Sequence, residues 1–154
     1  MRLRKAKIED AEQLASLIKE IGWFDVFKNE TVADSTRRVR AQLQQCLADD
    51  SHFVCVAQSD DDQIIGYVSV HWLPYLFMRG PEGYVSELFI RDAARGQGVG
   101  RQLLQIAETE ARSRGCTRLA LINLRHRESY RRQFYVKAGW TERSDAANFV
   151  YQIA

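Results

Sequence analysis

Two stretches of this chain bring together residues able to do chemistry. In the first, Glu87 is the only acid inside the apolar run Tyr84-Val-Ser-Glu-Leu-Phe-Ile90, and the turn Arg95-Gly96-Gln97-Gly98-Val99-Gly100-Arg101 follows shortly after. A carboxyl group shielded from water holds its proton more tightly than usual, which suits a general base working near neutral pH. An ion pair with a neighbouring arginine is the structural alternative for Glu87. The glycine turn offers a different chemistry. Where a strand passes into a helix, the first amides lack intrahelical partners and the helix dipole is positive, so an anion can dock on backbone N–H groups. Glycine removes the Cβ that would obstruct it. In the second stretch, Phe134-Tyr135-Val136-Lys137-Ala138-Gly139-Trp140, a tyrosine lies among aromatics and ahead of another glycine.

Two familiar phosphate-binding patterns fit the turn poorly. A P-loop ends in Gly-Lys-Ser/Thr, whereas Gly100 is followed by Arg101-Gln102. A dinucleotide fingerprint has GxGxxG and an acid about 20 residues on. Here the glycines are Gly96, Gly98 and Gly100, and the next apolar segment, Leu119 to Leu124, contains no acid.

The elements around the turn follow from periodicity. Tyr84–Ile90 reads as a buried strand closed by Arg91-Asp92. From Arg101 to Arg114, a stripe of Val99, Leu103, Ile106, Ala107 and Ala111 reads as a helix that stops at Gly115. Upstream, Arg2 to Lys7 alternates as a short strand. Asp10 offers an N-cap to a helix with Leu14, Leu17, Ile18 and Ile21 on one face, ending at Gly22. Trp23, Phe24 and Phe27 then serve either as core plugs or as walls of a substrate site. A second helix runs from about Ala33 to Ala48. His52–Gln58 and Ile64–Val70 form an antiparallel hairpin across Ser59–Asp62, and residues 71–83 form a longer connection over an acceptor site. Downstream come a strand at Arg118–Leu124, a short helix at Ser129–Ala138, and terminal strands from Trp140 and over Asn148–Ile153. Asn123, near the end of its strand, could bond a ligand through its amide or simply shape the turn. The order indicates a mixed α/β layer fold in a single domain spanning residues 1–154.

Composition narrows the function. Cys46, Cys55 and Cys116 show no CxxC spacing, and His52, His71 and His126 show no ligand spacing, so buried free thiols and no metal are expected. The N-terminus lacks a signal peptide and no long apolar run is present, which places the protein in the cytoplasm and away from membranes. Residues 9–62 hold 12 acids against 5 bases, whereas residues 111–143 hold 9 bases against 2 acids. That basic segment is either a solvated face or an attractor of phosphates. Without an aromatic platform or helix-turn-helix signature, nucleic acid is an unlikely partner.

The pattern Arg/Gln-x-x-Gly-x-Gly/Ala, met by Arg95, Gly98 and Gly100, followed one strand and one helix later by Phe134-Tyr135-x-x-x-Gly139-Trp140, resembles the GNAT superfamily of acyl-CoA-dependent N-acyltransferases. The residue-level match covers about 84–140, and the family's Asn and Ala upstream of the tyrosine are replaced here by Arg127-Glu128-Ser129-Tyr130-Arg131. The resemblance implies a mixed, mostly antiparallel central sheet of about 6–7 strands flanked by about 4 helices and splayed beside the glycine-loop helix. It further implies acetyl-CoA as cosubstrate. The pyrophosphate would lie on the amides of Arg95, Gly96, Gln97, Gly98, Val99, Gly100 and Arg101. The pantetheine arm would run along Leu88, Phe89 and Ile90 as an added strand, and a backbone N–H would polarise the thioester carbonyl. Asn123 is a further candidate contact, and Arg131, Arg132 and Lys137 could approach the 3′-phosphate.

The expected reaction is acetyl transfer to a primary amine by direct attack in a ternary complex. Only about one part in 10³ of an alkylamine is neutral at pH 7, a cost of about 4 to 5 kcal/mol, so Glu87 is assigned as base. The resemblance assigns Tyr135 as the acid for the departing thiolate. The acidic N-terminal region and the aromatic loops favour a small cationic amine over a protein amine. The alternative is a non-catalytic acyl-CoA-binding sensor module on the same fold. A homodimer exchanging terminal strands is also compatible with the sequence.

Overall fold

β-Branched and aromatic residues in short runs pair here into one five-stranded sheet. In the computed structural model, which describes residues 1–153, strands β1 (Arg2–Lys5), β2 (His52–Gln58), β3 (Ile64–Leu73), β4 (Glu82–Ile90) and β5 (Arg118–Ala120) lie side by side in chain order. The first four are antiparallel neighbours, and only β4 with β5 is parallel. The polar turn between β2 and β3 closes through Ser59 N–H to the Gln63 carbonyl, 2.8 Å, with Asp62 at φ 63°. Asp tolerates that left-handed conformation better than most residues.

Helices α1 (Ala11–Ile21) and α3 (Val32–Leu47), with the single turn α2 (Asp25–Lys28), supply Ala11, Leu14, Leu17, Phe27, Val39 and Leu43 to a core with Val54, Val56 and Tyr67 of the sheet. The alternate side chains Cys55, Val68 and Val70 are fully buried, as are Leu103, Leu104 and Ala107 of α4 (Val99–Ser113). At Gly66 the packing is close: a Cβ there would lie 2.7 Å from Ile90 Cδ1 and 3.3 Å from Leu103 Cδ1. Gly22 ends α1 at φ 69°, and Thr31 caps α3 by accepting from Asp34 N–H at 3.1 Å. Asp10 does not cap α1. Its carboxylate takes two bonds from Arg4, at 2.7 and 2.8 Å, and one from the Lys7 amide. Although burial would raise its pKa, these bonds hold it below the ordinary aspartate value.

This sheet and its helices form one compact unit, Met1–Leu121, and a second unit begins at Ile122. The second holds the single turns α5 (Glu128–Arg131) and α6 (Phe134–Lys137). Glu142 accepts from both Arg125, 2.8 Å, and the Tyr130 hydroxyl, 2.9 Å.

The structure corrects four expectations. The sheet has five strands among the described residues instead of six or seven. Residues from Trp140 and over 148–153 have β-forming side chains but no ladder partner, and backbone groups make a strand only when another strand satisfies them. The strand at Arg118 stops at Ala120, short of Leu124. The expected helix over Ser129–Ala138 is broken at Gln133, whose φ of 56° separates α5 from α6. Among the described residues, no helix is long and apolar enough to cross a membrane.

Because Leu103 is fully buried where α4 meets Gly66 of β3, Leu103→Ala should cost about 2–5 kcal/mol of stability, measurable by urea unfolding.

Candidate active site

The site is built on an asymmetry of β4. Along one side it pairs with β3 over its whole length, from Leu73↔Glu82 to Gly66↔Ile90. On the other side it pairs with β5 only at Glu82↔Arg118, Gly83↔Leu119 and Tyr84↔Ala120. Beyond Tyr84 no further β5 partner follows, so six residues, Val85 to Ile90, present one row of backbone groups to no strand among those described. The sequence implied a partner strand reaching Leu124 and splaying from β4; in the structure β5 ends at Ala120, and Leu88, Phe89 and Ile90 lie along the side of β4 that this leaves unpaired.

A β-bulge interrupts the β3–β4 ladder at the same place. Ser69 pairs with Glu87 and Val70 with Val85, which leaves Ser86 as the extra residue. An inserted residue reverses the in–out alternation of everything beyond it. Without it, Glu87 would turn toward the α4 side; with it, Glu87 joins Tyr67 and Phe89 on the side covered by α1 and α3.

Glu87 is half-buried there, and burial raises its carboxyl above the ordinary glutamate value, partly opposed by the Tyr67 hydroxyl. The same approach, together with burial, drives the Tyr67 phenol well up. The Tyr67 hydroxyl has no partner at good hydrogen-bonding geometry, so its influence on Glu87 is that of a nearby dipole and not of an aligned bond. Cys46 of α3 also lies within the field of Glu87, its thiol raised by burial and then by that carboxylate. No arginine pairs with Glu87 among the ion pairs formed by the described residues.

Around Phe89, three aromatic rings stand edge-on: Trp23 at 5.7 Å, Phe24 at 5.8 Å and Tyr67 at 5.8 Å between centroids. The two readings of the α1–α2 aromatics are thus divided between residues. Phe27 is a core plug at 6% exposure, whereas Trp23 and Phe24 keep 40% and 36% of their surface open. The sequence did not reveal Tyr67 as a neighbour of Glu87, because the bulge that brings the two onto one face leaves no composition signal.

From β4 the chain enters the glycine turn. Arg91 braces its start by donating to the Ile64 carbonyl at 2.8 Å and pairing with Glu20. Arg95 pairs with Asp92 at 2.8 Å, and the Gln97 amide reaches back to the Ala93 carbonyl at 3.0 Å. Gly96 and Gly98 take φ of 76° and 80°, values that strain any residue with a Cβ. A Cβ on Gly96 would meet nothing within 4 Å, and one on Gly98 only the Gln102 side chain at 3.9 Å. The space before the turn is therefore open. The helix's first bond runs from Gln102 N–H to the Gly98 carbonyl, 3.1 Å, so the amides of Val99 and Gly100 lie ahead of the intrahelical ladder. Open space, left-handed glycines and a helix start suit a phosphate-bearing cosubstrate, and no side-chain cation is needed.

Tyr135 and Asn123 belong to the second unit. Tyr135 is half-buried between Phe134, 4.9 Å, and Trp140, 5.9 Å between ring centroids, and burial pushes its phenol up to about 12. Asn123 lies past the end of β5, its side-chain oxygen accepting from Ser129 at 2.9 Å. That bond gives it a local role in the turn.

The family profile described as acetyltransferase (GNAT) matches residues 17–140. The chain is 30% identical over 141 residues to an aminoalkylphosphonate N-acetyltransferase of Salmonella typhimurium, covering 91% of this chain and 84% of that protein. It is 22% identical over 128 residues to a thialysine N-epsilon-acetyltransferase of Mus musculus, covering 78% and 72%. Among solved structures, a transcriptional regulator from Bacillus halodurans superposes with a TM-score of 0.82 at 23% identity over 99% of both chains. The chain belongs to the GNAT family and is an acetyl-CoA-dependent N-acetyltransferase.

Glu87 carries a stability consequence. Its folded-state pKa is raised above 4.5, so between that value and the raised one the folded protein holds more protons than the unfolded chain. Stability must then fall as pH rises through this window. Glu87→Gln removes the ionisation, so the variant should melt at a higher temperature than the parent at pH 7, with the gap closing as pH drops below about 4.5.

Proposed function

We propose that this protein acetylates a small primary amine by direct attack in a ternary complex, with Glu87 as general base and Tyr135 as general acid. The observation that carries this reading is the half-buried, arginine-free Glu87 carboxyl, placed by the bulge beside a partly open aromatic wall. The family match runs across both units, from 17 to 140, which supports their working as one catalytic domain.

Acetyl-CoA, when bound, supplies an activated acyl group on a thiol leaving group. The amides of the Arg95–Arg101 turn hold the pyrophosphate, with the dipole of α4 behind them. The open side of β4 at Leu88, Phe89 and Ile90 aligns the pantetheine arm by strand-like bonds, and a β4 amide serves the carbonyl oxygen as charge develops there.

Glu87 accepts a proton from the acceptor ammonium, directly or through water, and offsets the cost of about 4 to 5 kcal/mol for making a neutral amine at pH 7. A base with a raised pKa keeps more of the driving force for that transfer than an ordinary glutamate would. Tyr135, held neutral by burial, donates its phenolic proton to the departing sulfur as the carbon–sulfur bond breaks. One proton is released per turnover.

The acceptor class rests on two supports. Trp23 and Phe24 offer ring surface near the Glu87 side of the sheet, where a cationic amine gains from the aromatic quadrupole. The relatives named for an aminoalkylphosphonate and for thialysine both have small amines in their names.

Glu87→Gln should lower kcat by roughly 10²–10⁴-fold, with acetyl-CoA affinity by calorimetry unchanged. Full kcat in that variant would refute the base assignment. Gly98→Val should abolish acetyl-CoA binding in the same titration while the fold persists by circular dichroism. For the parent, kcat/KM should fall on the acid side as Glu87 takes up a proton, with a midpoint above 4.5.

A further inference from the structure

The bulge that aims Glu87 is itself held by a histidine. His71 of β3 places Nε2 3.0 Å from Ser86 Oγ, and Ser86 Oγ lies 3.4 Å from the Ser69 carbonyl. A carbonyl can only accept, so the Ser86 hydroxyl donates to Ser69 and its oxygen accepts from His71 Nε2–H. Ser86 is the inserted residue, and these two bonds tie it across the ladder at the point where β4 departs from regular pairing.

His71 is in turn fixed from its other side. It lies directly opposite His52 of β2, with ring centroids 4.3 Å apart, and its β4 neighbour is Tyr84, with centroids 6.4 Å apart. Ser51 donates to the Asp49 carboxylate, so its oxygen accepts from His52 Nδ1–H at 2.6 Å. Burial, and then the proximity of His52, hold His71 below the ordinary histidine value.

We propose that His71 is a positioning residue for the acetyl transfer, its Nε2–H bond to Ser86 holding the bulge that turns Glu87 toward the acceptor side of the sheet. His71 touches neither substrate nor reacting atoms in this role. The inference rests on Glu87 acting as base. Two observations meet in His71: the inserted Ser86 spends its own proton on the Ser69 carbonyl and needs a donor, and His71 Nε2–H is within reach of its oxygen. Tyr67 from β3 and Cys46 from α3 are the titratable groups facing Glu87, and neither contacts Ser86.

The test compares His71→Phe, which fills the space without a donor, with His71→Gln, whose amide N–H can replace Nε2–H but cannot titrate near neutrality. Carboxyl-carbon NMR of glutamate-labelled protein follows the Glu87 titration, assigned with Glu87→Gln. Turnover is measured with thialysine and an aminoalkylphosphonate as acceptors. In His71→Phe, the Glu87 titration and the acid limb of kcat/KM should move together, and kcat should fall roughly 10- to 100-fold, the scale expected for a displaced catalytic group. Acetyl-CoA affinity should stay within about threefold, showing that the fold survives. His71→Gln should restore the parent titration. An unchanged Glu87 titration in folded His71→Phe, or a His71→Gln variant as displaced as His71→Phe, would overturn the inference. Full turnover in Glu87→Gln would remove the base assignment and this inference with it, whereas an inactive Glu87→Gln beside an unaltered His71→Phe would remove this inference alone.

Discussion

The constraint on which this architecture turns is that each strand residue carries one amide and one carbonyl, directed in alternation toward one neighbouring strand or the other, and must find partners for them there or leave them for something else. β4 does both. Against β3 it pairs from end to end except at the inserted Ser86, while against β5 it is paired for three residues and then left open. Buried backbone groups without partners are costly, so a strand that runs on with a bare side beyond its neighbour is stable only where solvent or a ligand meets that side. An elongated amide-bearing arm, such as the pantetheine proposed to lie here, is a chemical match for a missing strand. On that proposal the fold makes its cosubstrate site by withholding a partner, with no lining of specialised side chains for that purpose.

The bulge makes the second half of the site by the same economy of means. One inserted residue, Ser86, is enough to move Glu87 from the α4 face to the α1–α3 face, since alternation has a period of two and any odd insertion inverts it. The turn that follows inherits its direction from β4 and is braced by Arg91, Arg95 and Gln97, whose bonds all go to the turn's own approaches or to α1 and β3. Those side chains hold the loop from behind and leave the amide side open. Glu87, the open edge of β4 and the glycine turn are consequently consecutive along one chain segment, 85–101, and their relative placement is set by backbone geometry more than by packing.

How much of this could be read from residues alone follows from the same distinction. The hairpin, the helix after the glycines and the glycine stops at Gly22 and Gly115 were legible because periodicity and turn chemistry are local. Glu87 stood out as the acid in an apolar strand. The bulge was not legible: Val85, Ser86 and Glu87 carry no mark of an insertion, which exists only relative to β3. For that reason Tyr67 and His71 went unrecognised as neighbours of the site, and Asp10 was read as a cap when Arg4, six residues away, claims its carboxylate. The terminal strands over Trp140 and Asn148–Ile153 were inferred from β-forming composition, but propensity describes a side chain's fit to a pleated surface and supplies no partner.

The placement of a carboxyl group beside the Tyr67 hydroxyl shows what the arrangement costs and why it persists. Tyr67 is buried with its hydroxyl unpartnered, and Glu87 is half-buried with its ionised form disfavoured. Either group could be replaced by an apolar one with a gain in stability, since an unmet buried hydroxyl costs about 1–3 kcal/mol. Deleting the hydroxyl alone would relieve that cost but remove the dipole that restrains the rise in the Glu87 pKa. Deleting the carboxyl alone would leave the hydroxyl as unmet as before. Burial lifts the carboxyl above the ordinary glutamate value, and the nearby phenol opposes part of that rise. A purely structural role would have called for an arginine opposite Glu87, as Arg118 stands opposite Glu82 at the first pair of the β4–β5 junction. Of the two acids on β4, Glu82 is buried and ion-paired with Arg118, whereas Glu87 is half-buried and in none of the ion pairs formed by the described residues, which is in keeping with its proposed role as base.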